Sequence, residues 1–171
     1  KPTAQVSAIN QANIAALQTL DAWQHLQKDR ANSYVAMHVW DKDSFGDIHF
    51  SCEEMGSDAL GVIVENQALI NALAQSVESH PNVQVFESGI ERVLSGPNQN
   101  MVMFDNNDAL SCRLLIGADG ANSFVRQQAG FPITFKDYEH TAIVANIKTA
   151  LPHENVTRQA FTPTGPLALL P

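Results

Sequence analysis

The sequence has no apolar run approaching the roughly 20 residues of a membrane-spanning helix, so no such helix is predicted. Its first five residues lack the apolar segment of a secretory signal, and no signal peptide is expected. Only 16% of the 171 residues are charged, and acidic residues outnumber basic ones by 18 to 10. The net charge of −8 repels phosphate backbones, which argues against nucleic-acid binding.

Cysteine is scarce as well. Cys52 and Cys112 are far apart and form neither a CxxC pair nor the spacing of a metal site. One disulfide between them is an alternative, but we favour two reduced thiols in a reducing compartment. The hydrophobic fraction of 44% excludes a disordered chain. The composition therefore predicts a globular, cytoplasmic protein.

Apolar periodicity predicts two main helices among many short strands. The first helix is expected over residues 7–29, with Ser7 or Asn10 as its N-cap, and the second over residues 66–79, with Asn66 as its N-cap. A short third helix is expected around residues 122–129. Strands are predicted at residues 34–40, 47–51, 83–86, 90–94, 101–104, 113–116, 142–148 and 158–161, and in the apolar stretch from residue 165. Residues 60–64 form a further short apolar run. This pattern indicates an α+β fold with a mixed, mostly antiparallel sheet and a few helices.

The strongest local signal for chemistry is an apolar strand, a glycine turn and a short helix over residues 114–126. Gly117 and Gly120 have no Cβ to obstruct a ligand, and the helix start offers free N–H groups. Asp119 could accept a hydrogen bond from a sugar hydroxyl, and Ser123 and Arg126 share one helix face. A full G-x-G-x-x-G is missing, so spacing alone leaves a nucleotide site and an ordinary strand-to-helix turn equally open.

Other chemistry-bearing residues predict no further site. His38 and His49 face each other across the predicted hairpin, but two histidines without a third ligand make a poor metal site, and no metal is expected. Trp23 and Trp40 are expected to be core residues. No Gly-x-Ser-x-Gly accompanies any serine, and the paired acids fall in exposed turns, so no catalytic side chain is assigned.

At the glycine turn the sequence resembles a known family. Gly-Ala-Asp-Gly-Ala-Asn-Ser-Phe-Val-Arg, over residues 117–126, is similar to the second flavin motif of FAD-dependent aromatic hydroxylases of the p-hydroxybenzoate hydroxylase group. Four further stretches resemble the ubiquinone-biosynthesis branch, and in particular its VisC-type 2-polyprenylphenol hydroxylases. They are Val-Ser-Ala-Ile-Asn from residue 6, Val-Trp-Asp-Lys-Asp-Ser-Phe-Gly from residue 39, Val-Glu-Asn from residue 64, and Arg-Gln-Ala-Phe from residue 158 with Gly-Pro-Leu-Ala from residue 165.

The resemblance implies FAD as cofactor and NAD(P)H as co-substrate. It places Asp119 and Gly120, with Gly117, at the FAD, and it assigns Ser123 and Arg126 mainly to ordering the loop and helix. Further FAD-side residues are Asn66, at a helix start near the ribityl or phosphate region, and the segment 6–9 beside the flavin. In relatives an Arg precedes that segment; Gln5 stands here and can only hydrogen-bond to a pyrophosphate.

The resemblance also implies that the chain is the middle of a longer enzyme. The family's G-x-G-x-x-G loop and its Gly-Asp motif do not occur in it, so we expect this fragment not to hold FAD or to react by itself. Residues 1–32 and 60–130 are expected to belong to the FAD-binding domain, and residues 33–59 and 131–171 to a substrate-side sheet.

The implied activity of the parent enzyme is hydroxylation of a polyprenylated phenol ring with NAD(P)H and O2. The implied partners are the polyprenylphenol, the surface of the inner membrane and other ubiquinone-biosynthesis proteins. Two alternatives stay open at this stage: a non-catalytic module that binds a ligand or partner, and a sister flavin hydroxylase acting at another ring position.

Overall fold

The computed structural model describes residues 5–171, which form ten strands and three α-helices. The strands are β1 (Val6–Asn10), β2 (Ala31–Tyr34), β3 (Ala36–Asp41), β4 (Asp47–Ser51), β5 (Gly61–Glu65), β6 (Ile90–Ser95), β7 (Asn100–Phe104), β8 (Ala109–Cys112), β9 (Val156–Thr162) and β10 (Gly165–Leu169). The helices are α1 (Gln11–Thr19), α2 (Asn66–Ser79) and α3 (Phe124–Gln128), and two short 3-10 turns span Trp23–His25 and Lys28–Arg30.

The described chain divides into two compact units. The first runs up to Val83 and resumes at Ala142–Pro171; the second is Gln84–Thr141. The first unit holds a β1-β5-β2 sheet and a β10-β9-β3-β4 sheet, and the second holds a β6-β7-β8 sheet. Within residues 5–171, six of the seven strand pairings are antiparallel and only β3 with β9 is parallel. The predicted α+β class with a mixed, mostly antiparallel arrangement is confirmed.

The first predicted helix is wrong at both ends. Its first residues form β1, which pairs antiparallel with β5, because a strand buried on both faces needs backbone partners along both edges. The helix proper is α1, and Asn10 caps it by accepting a hydrogen bond from the Asn13 N–H at 2.9 Å. Asp21, with φ of 54°, lies beyond its end in a conformation that no helix continues.

The second predicted helix has the predicted bounds. It begins directly after β5, with Glu65 in the N-cap position, so the prediction of Asn66 as the cap is wrong by one residue. Ala68 and Ala72 are its buried residues, while Ile70 on the predicted apolar face is exposed.

The core of the first unit forms around β5. Val64 is fully buried there, and Ile9, Ile14 and Val62 complete the buried cluster. Partly buried side chains pack against it: Leu17, Trp23, Leu26, Ala31 and Leu69. Trp23, predicted as a core residue, therefore packs against the core but is only partly buried.

Between the two sheets of the first unit, the chain crosses at Val35. The predicted strand 34–40 is divided there into β2 and β3, and the predicted hairpin is confirmed as β3 with β4. The Val35 N–H donates to the Asn155 carbonyl at 2.8 Å, and its own carbonyl accepts from the Cys52 N–H.

Three predicted strands, at residues 83–86, 113–116 and 142–148, are wrong. Leu114, Ile116 and Ile143 are exposed, and they lie outside the strands and helices of residues 5–171. β8, which was not predicted, occupies the edge beside β7. A short apolar run is compatible with a buried strand, but it becomes one only where its backbone pairs with another strand. No helix within residues 5–171 combines the length and the apolar character needed to cross a bilayer. Both cysteines are free thiols, as predicted.

Val64→Ala removes two buried methyl groups from the centre of the first unit. We expect it to lower the free energy of unfolding by about 2 kcal/mol, from lost apolar burial and the resulting cavity. Val85→Ala makes the same chemical change at an exposed position and should cost below about 0.5 kcal/mol. Urea denaturation measures both, and equal losses would contradict the assignment of the core.

Candidate functional site

The glycine turn of the second unit contains Gly117 and Gly120, which differ in backbone conformation and in packing. Gly120 has φ of +87°, and a Cβ built on it would meet nothing within 4 Å. Gly117 lies against α3, where a Cβ would approach Val125 at 3.1 Å. Tight packing against Val125 therefore favours glycine at position 117, and the positive φ favours it at position 120, where the side facing away from the backbone is open.

The carboxylate of Asp119 closes the turn onto α3. It accepts hydrogen bonds from the Ser123 hydroxyl, from the Phe124 N–H at 2.7 Å and from the Val125 N–H at 3.1 Å. The hydrogen bond from Ser123 is the main cause that lowers the pKa of Asp119 below 3.8, followed by that from Val125. Asp119 is consequently a charged cap at neutral pH.

Ser123 is the N-cap residue of α3, and it is buried. Its Oγ accepts a hydrogen bond from the Arg126 N–H at 3.0 Å. The expectation that this helix start offers free N–H groups is wrong for three of them, because Asp119 and Ser123 bind the N–H groups of Phe124, Val125 and Arg126.

Beside α3 the second unit has an open cleft of about 420 Å³. Gly117, Ser123 and Arg126 line it together with the apolar side chains of Leu114 and Phe131. The structure thus brings three of the predicted site residues to one cleft. Asp119 and Gly120 lie on the turn and outside its lining.

Asn66, the remaining predicted site residue, lies in the first unit at the end of β5. Its Oδ1 accepts a hydrogen bond from the Ser7 hydroxyl at 2.7 Å, and its N–H donates to the Gln5 carbonyl at 3.0 Å. Within residues 5–171 its Nδ2 group has no hydrogen-bond partner. The predicted flavin-side segment at residues 6–9 and Asn66 are therefore in direct contact.

Comparison with known proteins shows the family of this chain. Residues 2–163 match the family described as FAD binding domain. The chain belongs to that family. FAD binding domain relatives include the ubiquinone biosynthesis monooxygenase COQ6, mitochondrial, of Danio rerio, which is 36% identical over 98% of this chain and 37% of its own length. The 3-demethoxyubiquinol 3-hydroxylase of Escherichia coli is 31% identical over 100% of this chain and 44% of its own length.

The chain thus spans less than half the length of these curated relatives. Among solved structures, HpxO of Klebsiella pneumoniae complexed with FAD is similar, with a TM-score of 0.62 and 18% identity over 98% of this chain and 45% of that chain. PqsL of Pseudomonas aeruginosa has a TM-score of 0.62 and 17% identity over 81% of this chain and 38% of that chain. These structures share the fold of this FAD binding domain.

Two polar groupings in this FAD binding domain were missed from the sequence. Arg30 pairs with Glu65 at 3.3 Å, and no pattern in the sequence indicated this contact across a separation of 35 residues. His38 and His49 face each other across the hairpin as predicted, with their rings stacked, but the sequence analysis missed Asp47, whose carboxylate lies between their Nε2 atoms. Strand alternation was a usable signal here, because Asp47 and His49 are two residues apart in a predicted strand and share a face.

Asp119→Asn is expected to reduce stability at neutral pH and to weaken its dependence on pH in acid. The folded pKa of Asp119 lies below the unfolded 3.8, so its contribution is complete above 3.8 and is lost as the pH falls through the lower folded value. Urea unfolding over a pH series measures this effect. Asp58→Asn, at an exposed position, is the control, and identical pH profiles for the two variants would contradict the capping role.

Proposed function

We propose that the protein containing this chain is an FAD-dependent monooxygenase that hydroxylates a polyprenylated phenol ring in ubiquinone biosynthesis, with NAD(P)H and O2 as co-substrates. The observation that carries the proposal is the match to a ubiquinone biosynthesis monooxygenase and to a 3-demethoxyubiquinol 3-hydroxylase. They are 36% and 31% identical to this chain across 98% and 100% of its length. The membership of residues 2–163 in the FAD binding domain family supports the same cofactor.

We assign residues 1–32 and 60–130 to the FAD-binding part and residues 33–59 and 131–171 to the substrate-side sheet. The sheets of the first unit support this division, because β1, β5 and β2 form one sheet and β10, β9, β3 and β4 form the other. The proposed boundary near residue 33 lies within β2, next to the crossing from one sheet to the other.

The groups present in each unit are of kinds that bind parts of an FAD. In the second unit Gly120 offers open backbone space, and Gly117 and Arg126 line an open cleft with Ser123. In the first unit Asn66 offers an amide Nδ2 group that has no hydrogen-bond partner within residues 5–171. Asp119 contributes chiefly by holding the turn, since three hydrogen bonds already engage its carboxylate. When bound, FAD supplies the redox and oxygen chemistry. The role assigned to these residues is to bind and orient it, and no side chain is assigned as an acid, base or nucleophile.

A polyprenyl tail partitions into lipid, so we place the working enzyme in the cytoplasm at the periphery of the inner membrane. There it would meet its substrate and other ubiquinone-biosynthesis proteins. This placement rests on the chemistry of the proposed substrate.

The activity is tested with the full-length protein. We expect a bound-flavin absorbance spectrum, polyprenylphenol-dependent oxidation of NADH or NADPH with consumption of O2, and a product carrying one additional oxygen by mass spectrometry. Absence of both flavin and substrate-dependent oxidation would overturn the proposal in favour of a binding module. NMR of the product assigns the ring position and thereby distinguishes a sister hydroxylase.

Gly120→Ala is expected to weaken FAD binding about tenfold, which corresponds to about 1.4 kcal/mol, because its Cβ would fill the open side of a left-handed turn. Gly130→Ala is the matched control: φ is +70°, and a Cβ there also meets nothing within 4 Å. Fluorescence titration of the apoproteins with FAD measures both. Equal losses would show that backbone strain, and not ligand contact, accounts for the effect.

A further inference from the structure

The β3–β4 hairpin brings two histidines and an aspartate to one face of its sheet. His38 lies directly opposite His49 in the antiparallel register, where the two Cβ atoms are about 4.5–5.5 Å apart. Asp47 precedes His49 by two residues and therefore projects to the same face. The backbone of the hairpin already gathers the three side chains.

The ligating atoms of these three residues converge. Nε2 of His38 lies 3.0 Å from Asp47 Oδ2, and Nε2 of His49 lies 3.0 Å from Asp47 Oδ1. The two imidazole rings are stacked, with centroids 3.9 Å apart and planes at 16°. One ligand atom from each residue lies within 4.8 Å of the other two.

We propose that His38, Asp47 and His49 form a binding site for a divalent transition-metal ion, with Zn²⁺ as the preferred ion. Two imidazole nitrogens and one carboxylate oxygen are a ligand set that suits Zn²⁺, whereas Mg²⁺ and Ca²⁺ prefer oxygen ligands alone. Ligands of a tetrahedral Zn²⁺ lie about 3.3 Å apart at bonds of about 2.0–2.1 Å, so a modest rotation of the rings closes the site. The fourth position is left to water or a small ligand.

Of the two histidine side chains, that of His38 is the more restricted by its neighbours, and that of His49 is the freer to move toward a bound ion. The Trp40 ring lies 4.5 Å from the His38 ring, and the His38 side chain is 28% exposed, against 67% for His49. Arg158 is paired with His38 across the parallel β3–β9 ladder. Its guanidinium is held by Glu154 at 3.0 Å and by the His153 carbonyl at 2.8 Å, so this cation is already compensated.

Metal binding would join the edge strand β4 to β3 through their side chains. An ion that binds the folded state alone stabilises it, so Zn²⁺ should raise the Tm of the protein. The proposal does not depend on the flavin chemistry, because none of the three residues belongs to the proposed FAD contacts.

The test is calorimetric titration of the full-length protein with Zn²⁺ in a non-chelating buffer. We expect saturable binding of one ion by this cluster. His38→Gln, Asp47→Asn and His49→Gln should each weaken it about tenfold or more, since even partners that merely orient a metal ligand contribute about 10–100-fold. Asp43→Asn, in the same hairpin, and His80→Gln, at the end of α2, are the controls and should bind as the unchanged protein does.

Electron paramagnetic resonance with Cu²⁺ as the probe gives a second readout. We expect coupling to two imidazole nitrogens in the unchanged protein and to one in His49→Gln. The His49 side chain is 67% exposed, so this substitution should leave the fold intact. Circular dichroism without metal checks that each variant folds. Binding that is absent, or that is equally strong in the three cluster variants and the controls, would overturn the proposal.

Discussion

The backbone pairing of β5 is the constraint on which the first unit depends. β5 is buried on both faces, so its backbone N–H and C=O groups cannot form hydrogen bonds with water. They must form them with neighbouring strands along both edges. β1 and β2 supply those partners. The first residues of the predicted first helix are therefore part of strand β1. Gly61 permits the close approach, because a Cβ there would collide with the Ile9 carbonyl and the Tyr34 ring.

The same pairing positions Asn66. α2 begins at the residue after β5, so the Asn66 amide reaches the Ser7 hydroxyl on the neighbouring strand. A residue proposed to contact a flavin is thereby held at the end of a rigid buried strand. Such support suits a binding residue, since a side chain placed by a packed core loses little freedom when its ligand arrives.

The glycine turn of the second unit is organised locally. The Asp119 carboxylate accepts hydrogen bonds from two N–H groups at the start of α3, and the Ser123 hydroxyl accepts one from a third. A helix of only five residues is barely stable by itself, so these side-chain hydrogen bonds are needed to stabilise it. The residues of this turn therefore stabilise the local fold, and the open side of Gly120 leaves space for a ligand.

The sequence alone determined the features that depend on neighbours along the chain: α2, the β3–β4 hairpin, the glycine turn and the family. It narrowed the cap of α1 to Ser7 or Asn10, and the structure decided for Asn10. Only the tertiary structure decided which apolar runs became strands: residues 113–116 and 142–148 have the composition of strands, yet they pair with no strand within residues 5–171. It likewise decided the Arg30–Glu65 pair and the place of Asp47 between two histidines. Contacts of this kind arise from strand register and packing, which a single sequence does not encode in any local pattern.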